Sequence, residues 1–192
     1  MSKRDLILAA ARELFSDKGY ERTTMRAIAA RADVDPALIH HYFTNKNTLL
    51  MAALKPDIDL ATHFADIENV DSVGTEFARR LLGYWEDNPD VRTRMTALLR
   101  VAMTHDDVAA LLRDFQIGAL RAALGSVVAA DRPEVRLGLV ATQIFGIGLM
   151  RYILRAPQIR DCTVDQLVMA VGPVIDGYLT GPLANARGRV PS

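Results

Sequence analysis

Cysteine is almost missing from this 192-residue chain, and so is any excess of charge of either sign. The lone Cys162 rules out an intrachain disulfide and points to a reducing compartment, so a cytoplasmic protein is expected. With 23 basic and 23 acidic residues, the charge of the whole chain does not advertise a polyanionic partner. The four histidines and scattered carboxylates have no metal-ligand spacing, and neither a nucleophile elbow nor a glycine-rich phosphate loop occurs. His40 and His41, side by side on a helix, point about 100° apart and do not readily share an ion. These absences argue against an enzyme and leave no catalytic residue, metal ligand or cofactor to assign. No apolar run reaches the roughly 20 residues that cross a bilayer, so no membrane partner is expected. The start of the chain leads straight into a charged amphipathic helix, which argues against a signal peptide. Convincing strands are missing too, and half of the residues are hydrophobic. An all-α fold with an ample core is the expectation.

What is present is unevenly spread. Up to Lys55 there are nine basic and six acidic residues, and the remainder has 14 basic and 17 acidic, so the first part is +3 and the rest −3. That sign suits a DNA-reading head on an acidic body. The stretch Thr24 to Phe43 gives the reason. Thr23 or Thr24 can cap a helix whose Met25, Ile28, Ala29 and Ala32 share one apolar face. Asp33-Val34-Asp35 forms the turn, with Asp33 able to take a left-handed conformation. Asp35 then caps a second helix that has Pro36 at its first position. Ile39 and Phe43 point back with Val34, leaving Ala37, Leu38, His40 and His41 on the open side. This is the layout of a helix-turn-helix, whose second helix enters the major groove of double-stranded DNA.

Thr24, Ile28, Ala29, Val34, Asp35, Ile39, Tyr42, Phe43 and Lys46, followed by Leu49 and Leu50, resemble the core pattern of the tetracycline-repressor family of transcriptional regulators. The specific resemblance covers roughly the first quarter of the chain. Two positions depart from the pattern: Asp33 stands for the usual turn glycine, and His40 for the usual aromatic of the recognition helix.

Candidate DNA contacts follow from placement. Tyr42 and Lys46 lie where a phenol and a point charge meet phosphate, and Thr24 can donate to phosphate at a helix start. The bland alternative keeps Thr24 as a cap and Tyr42 as core. His40 and His41 can donate to purine acceptors, Ala37 and Leu38 can meet thymine methyls beside Pro36, and Arg26 is the best candidate for a bidentate guanine contact. Asp35 would repel phosphate and reads as a cap only.

The chain is expected to divide into a three-helix head at 1–46, a regulatory and dimerisation body at 47–181 and a flexible tail at 182–192. Met1 to Arg4 reads as a loose arm. The first helix, from about Asp5 to Lys18, closes at Gly19. A fourth helix ends near Lys55-Pro56 and joins head to body. Ile58 to Asp71 is poorly periodic and reads as a connector. Helices then follow to the Asn88-Pro89 break, to about Thr104, from about Asp106 onward, from Pro133 to about Arg155, and from about Val164 to Leu179. The segment from Leu137 to Met150 is apolar all round except Thr142 and Gln143, so it should be buried on both sides. Gly138, Gly146 and Gly148 there suggest close approach of another backbone. In the resembled family the last two long helices pair with their copies; that implies a homodimer through Val140, Ile144, Ile147, Val171 and Ile175.

Tyr84, Trp85, Arg100, Phe115, Gln116 and Gln143 are polar or aromatic residues on otherwise apolar helices, and the flexible Met103 joins them as a candidate. Singly, each reads as core or interface; the family resemblance makes an effector pocket of them, with Arg100 as a charge on its wall. The resemblance therefore implies a homodimeric repressor of an inverted-repeat operator, released by a small hydrophobic effector. An activator, or a regulator triggered by a protein partner, is the alternative.

Overall fold

The computed structural model describes residues 2–183, and among these every regular element is helical. In order they are α1 (Lys3–Arg22), α2 (Met25–Ala32), α3 (Pro36–Tyr42), α4 (Lys46–Leu54), α5 (Leu60–His63), a 3-10 turn (Ile67–Asn69), α6 (Val73–Asp87) and α7 (Pro89–Ala102). There follow α8 (Asp106–Leu124), α9 (Pro133–Gly148), a π-helical turn (Leu149–Ile153), α10 (Pro157–Arg160) and α11 (Val164–Thr180). The chain forms two compact units, one from the residues up to Asp57 with Asn88–Phe115, the other from Ile58–Asp87 with the chain from Gln116 on. The unit that contains the head is thus larger than residues 1–46: α4, α7 and the first half of α8 belong to it.

The first unit is built on the apolar stripe of α1. Ile7, Ala11, Leu14 and Phe15 pack with Ile28 and Ala29 of α2, Ile39 of α3, Phe43, and Leu49, Leu50 and Ala53 of α4. Leu98 of α7 and Val108 and Leu112 of α8 complete this core. The expected loose arm is not found at Ser2–Arg4. Ser2 accepts from the amide of Asp5 at 3.1 Å while the Asp5 carboxylate accepts from that of Ser2 at 2.9 Å, a reciprocal cap that starts α1 at Lys3. Gly19 breaks α1 as expected, at φ 75° and ψ 172°. Thr23, buried just past the break, donates its hydroxyl toward the carbonyls of Leu14 and Gly19.

The second unit gathers α6, the second half of α8, α9 and α11. Phe64 and Ile67 of the expected connector are buried in its core, so this stretch is anchored despite its weak periodicity. The closest backbone approach is not at the glycines of α9. A Cβ at Gly138 or Gly146 would meet nothing within 4 Å, and one at Gly148 only the Trp85 ring at 3.9 Å. Instead α6 and α11 cross at Gly74 and Gly172: a Cβ on Gly172 would lie 2.7 Å from Thr75 Cα. Asp176 of α11 secures the crossing by accepting from the Gly74 amide at 2.6 Å and the Ser72 hydroxyl at 2.5 Å. α11 continues through Pro173.

α9 stops at Gly148 rather than near Arg155, and a π-helical turn takes over. That turn sends two successive side chains the same way, since Arg151 Nε and the Tyr152 hydroxyl both donate to Glu86 Oε1, at 2.9 and 2.8 Å. Arg151 also donates to the carbonyls of Ile159, Arg160 and Cys162. Arg136 is the charged residue of this core, 2% exposed. Its guanidinium donates to both Asp131 carboxylate oxygens and to the carbonyls of Asp131, Tyr178 and Gly181. Arg132 holds the Leu183 carbonyl at 3.1 Å, so the beginning of the expected tail is pinned. Its remainder, 184–192, lies outside the described residues.

Candidate nucleic-acid interface

Both helices of the helix-turn-helix are started by contacts two or three residues long. Thr24 caps α2 by accepting from the Ala27 amide at 3.1 Å. Asp33 takes the left-handed conformation, φ 52° and ψ 52°, and its amide closes α2. Asp35 caps α3 by accepting from the Ala37 amide at 2.7 Å, with Pro36 as the first helical residue. Ile39 and Phe43 are buried and fix α3 from behind. Each part of the expected turn is therefore found.

The outward residues follow from that anchoring. Arg26, Pro36, Ala37, His40 and His41 are exposed and Leu38 is half-buried. Tyr42 is 41% exposed, with the His41 ring against it edge-on at 5.3 Å, so it is not a core residue. Thr24 is exposed beside its cap bond and keeps its hydroxyl proton for another acceptor. Arg31 is committed to Glu13, donating to it at 2.8 and 3.0 Å, whereas among the described residues no ion pair holds Arg26. The Arg4 guanidinium stands over the Phe43 ring at 5.6 Å, placing a cation by the end of α3.

Lys46 opens α4, where Asn45 accepts from the Thr48 amide at 2.9 Å and Thr48 Oγ1 from that of Asn45 at 3.2 Å. Its ammonium lies over the Tyr20 ring, 3.9 Å from the centroid. Burial pulls the Lys46 pKa below its ordinary value, with Glu21 pulling the other way. Burial first, then Glu21 and Asp107, pushes the Tyr20 phenol up. No signal in the sequence joined Tyr20 to Lys46.

The residues expected to line an effector pocket are divided between the units. Arg100, Met103 and Phe115 belong to the first and Tyr84, Trp85, Gln116 and Gln143 to the second. Two are corrected outright. Met103, just past the end of α7, is 60% exposed and Arg100 is exposed as well, so neither is buried in an apolar wall. Phe115 packs on the first core and Gln116 is half-buried. In the second unit, Gln143 donates to the Tyr178 hydroxyl at 3.3 Å, and Trp85 meets Tyr152 edge-on at 6.1 Å. Tyr84 lies 5.9 Å from the His63 ring, whose buried Nε2 has no hydrogen-bond partner among the described residues.

The expected dimer residues need correction as well. Val140 and Ile175 are fully buried and Ile147 nearly so, because they face the chain's own core and have no surface left for a second copy. Ile144 and Val171 pack on that core with part of their surface open.

A capped helix-turn-helix with an open recognition face, in a chain that is otherwise helical, defines a helix-turn-helix protein with an α-helical body. Comparison with known proteins gives the family. The bacterial regulatory proteins of the tetR family match at residues 7–53, and the tetracyclin repressor-like C-terminal domain at residues 71–179. The chain belongs to the tetracycline-repressor family, whose members are DNA-binding transcriptional regulators and not enzymes. It is similar to the HTH-type transcriptional regulator UidR of Escherichia coli (strain K12), 28% identical over 124 residues, 58% of this chain and 57% of that one. It is also similar to the HTH-type transcriptional regulator HbdR of Aromatoleum sp. (strain CIB), 42% identical over 57 residues, 30% of this chain and 25% of that one. The chain thus spans little more than half the length of the first of these relatives and a quarter of the second. Among solved structures, a TetR-family regulator from Streptomyces coelicolor A3 has a TM-score of 0.69 at 26% identity, covering 92% of this chain and 94% of that one. GusR of Salmonella enterica, with a TM-score of 0.66 at 21% identity over 92% and 95%, shares the fold. Among the described residues, no helix is long and apolar enough to cross a membrane.

Proposed function

We propose that this chain is a sequence-specific DNA-binding transcriptional regulator, acting as a homodimer that represses until a small effector releases it. The observation that carries the reading is α3, whose caps and buried anchors leave its outer face open beside Arg26, Tyr42 and Lys46. In this reading Tyr42, Lys46 and Thr24 hold the phosphate backbone and set register. Arg26, His40 and His41 read base edges, with Pro36, Ala37 and Leu38 against thymine methyls.

Dimerisation is supported by an open apolar strip on the last two long helices. Val135, Leu139 and Gly146 share one side of α9, with Met150 exposed in the turn that follows, and Met169, Ala170, Pro173 and Val174 share one side of α11. Met169 is 70% exposed, an unusual place for a long apolar side chain unless something covers it.

The effector reading rests on the second unit. An unpartnered buried nitrogen at His63, near Tyr84, and a single long hydrogen bond at Gln143 are polar groups on apolar helices. Leaving such a group unsatisfied costs about 1–3 kcal/mol, which a ligand's polar end recovers. A mostly apolar molecule with one polar end fits that chemistry. It acts by favouring a conformation whose heads no longer match successive grooves, since only a differential affinity shifts such an equilibrium.

Selection from a randomised duplex library tests the function directly. A recovered inverted repeat, with one base position relaxed by Arg26→Ala, is the expected result. Recovered sequences no different from the input would overturn it.

A further inference from the structure

Lys46 is the first residue of α4, and its ammonium is shelved on the Tyr20 ring at 3.9 Å rather than left to sweep through solvent. A lysine that docks on a phosphate from a free state must give up many rotamers, so a ring that already holds the ammonium strengthens the contact by preorganisation. The ring is itself fixed from several sides. Its hydroxyl donates to the Asn47 side-chain oxygen, and Phe15 stacks with it at 6.1 Å. His105 meets it edge-on, with ring centroids 4.7 Å apart and planes 72° apart.

His105 stands between α7 and α8, and both of its ring nitrogens are engaged. Nε2 lies 2.6 Å from Glu21 Oε1, in the residue next to Tyr20. Nδ1 lies 3.1 Å from the Val101 carbonyl and 2.9 Å from Thr104 Oγ1. One imidazole therefore ties the end of α7 to Tyr20 and Glu21 together, and all of these residues lie in the first unit.

We propose that Tyr20 is the positioning residue for Lys46 at the DNA backbone, and that the α7–α8 corner sets Lys46 through the grip of His105 on Tyr20 and Glu21. The proposal rests on the reading of Lys46 as a phosphate contact. Its consequence is specific: a change at the corner weakens the backbone contact even where α3 keeps its place.

The test measures binding to a mixed-sequence duplex over a series of salt concentrations, because a phosphate contact is independent of sequence. Lys46→Ala is expected to flatten the plot of log affinity against log salt by about one unit. Tyr20→Leu, which removes the ring face, is expected to lose about two- to fivefold in affinity, and His105→Ala a smaller part of that. Neither should add to the loss when combined with Lys46→Ala. Tyr20→Phe keeps the face and is expected to bind nearly as the native chain does, a rescue that a merely structural role for the hydroxyl would not give.

The ring-current shift of the Lys46 ε-protons reads the geometry without DNA. It is expected to persist in Tyr20→Phe, to change in His105→Ala and to vanish in Tyr20→Leu. If Lys46→Ala leaves affinity and salt slope unchanged, the phosphate reading falls and the proposal with it. If Lys46→Ala weakens binding while a folded Tyr20→Leu binds as the native chain does, the proposal alone is wrong. Should Tyr20→Leu fail to fold, an unaltered Lys46 shift and additive losses in His105→Ala overturn it equally.

Discussion

The helix-turn-helix and the α6–α11 crossing are held by opposite means. In the head each helix is started by a neighbour: Thr24 reaches the Ala27 amide, Asp35 that of Ala37, and Asn45 that of Thr48. In the second unit the start of α6 is held by Asp176, 102 residues further along the chain. The start of α9 is fixed through Arg136 to carbonyls at the far end of α11. A local cap sets the shape of its own turn and little else, whereas a long-range clamp stabilises the whole unit. Substitutions on the face of the head should therefore change recognition with little effect on stability, and substitutions at the clamps should do the reverse.

The largest effect is expected at Arg136. Arg136→Met takes a buried guanidinium away from five acceptor oxygens and strands the carbonyls of Tyr178 and Gly181. A loss of about 3 kcal/mol in urea unfolding is expected, moderated because Asp131 can hydrate. An unshifted midpoint would mean that this clamp is dispensable. Gly172→Ala comes next, at about 2 kcal/mol, because the new Cβ meets the Thr75 backbone and that helix must move to make room. A fully tolerated alanine would show that the crossing is looser than described.

The head should answer differently. Arg26→Ala is expected to leave the unfolding midpoint where it was and to relax discrimination at one base position by about 1–3 kcal/mol. Equal losses on selected and random duplexes would take Arg26 off the list of base readers.

The smallest effect is a slope in alkali. The Tyr152 phenol is pushed up to about 12, by burial first and then by its hydrogen bond to Glu86. An unfolded tyrosine ionises near 10, so the folded chain retains a proton that the unfolded chain has released. Stability is unaffected below about pH 10 and falls as pH rises toward about 12. Tyr152→Phe should lessen that fall, and an identical alkaline profile in the variant would place the ionisation elsewhere.

The same contrast explains what could be read from the residues alone. Thr24, Asp33, Asp35 and Pro36 act within three positions of themselves, so their order along the chain carries their geometry. Asp176 and Glu86 act across the fold, as Arg136 does toward Tyr178 and Gly181, and nothing near them in the chain names those distant partners. Val140 and Ile175 were misplaced because an all-apolar helix does not say which side meets its own core and which is left open. Arg100 and Met103 were misplaced because a polar or flexible residue near an apolar stripe can lie on either side of its edge. The π-helical turn had no signal, since it answers to Glu86 on α6.

Hydroxyl-radical footprinting on the selected duplex tests the central claim, that two copies of the α3 face read DNA together, most directly. The account predicts two protected half-sites of opposite orientation, on one face of the duplex, with centres about 34–36 Å apart. Protection of a single half-site, or an even footprint without orientation, would contradict it.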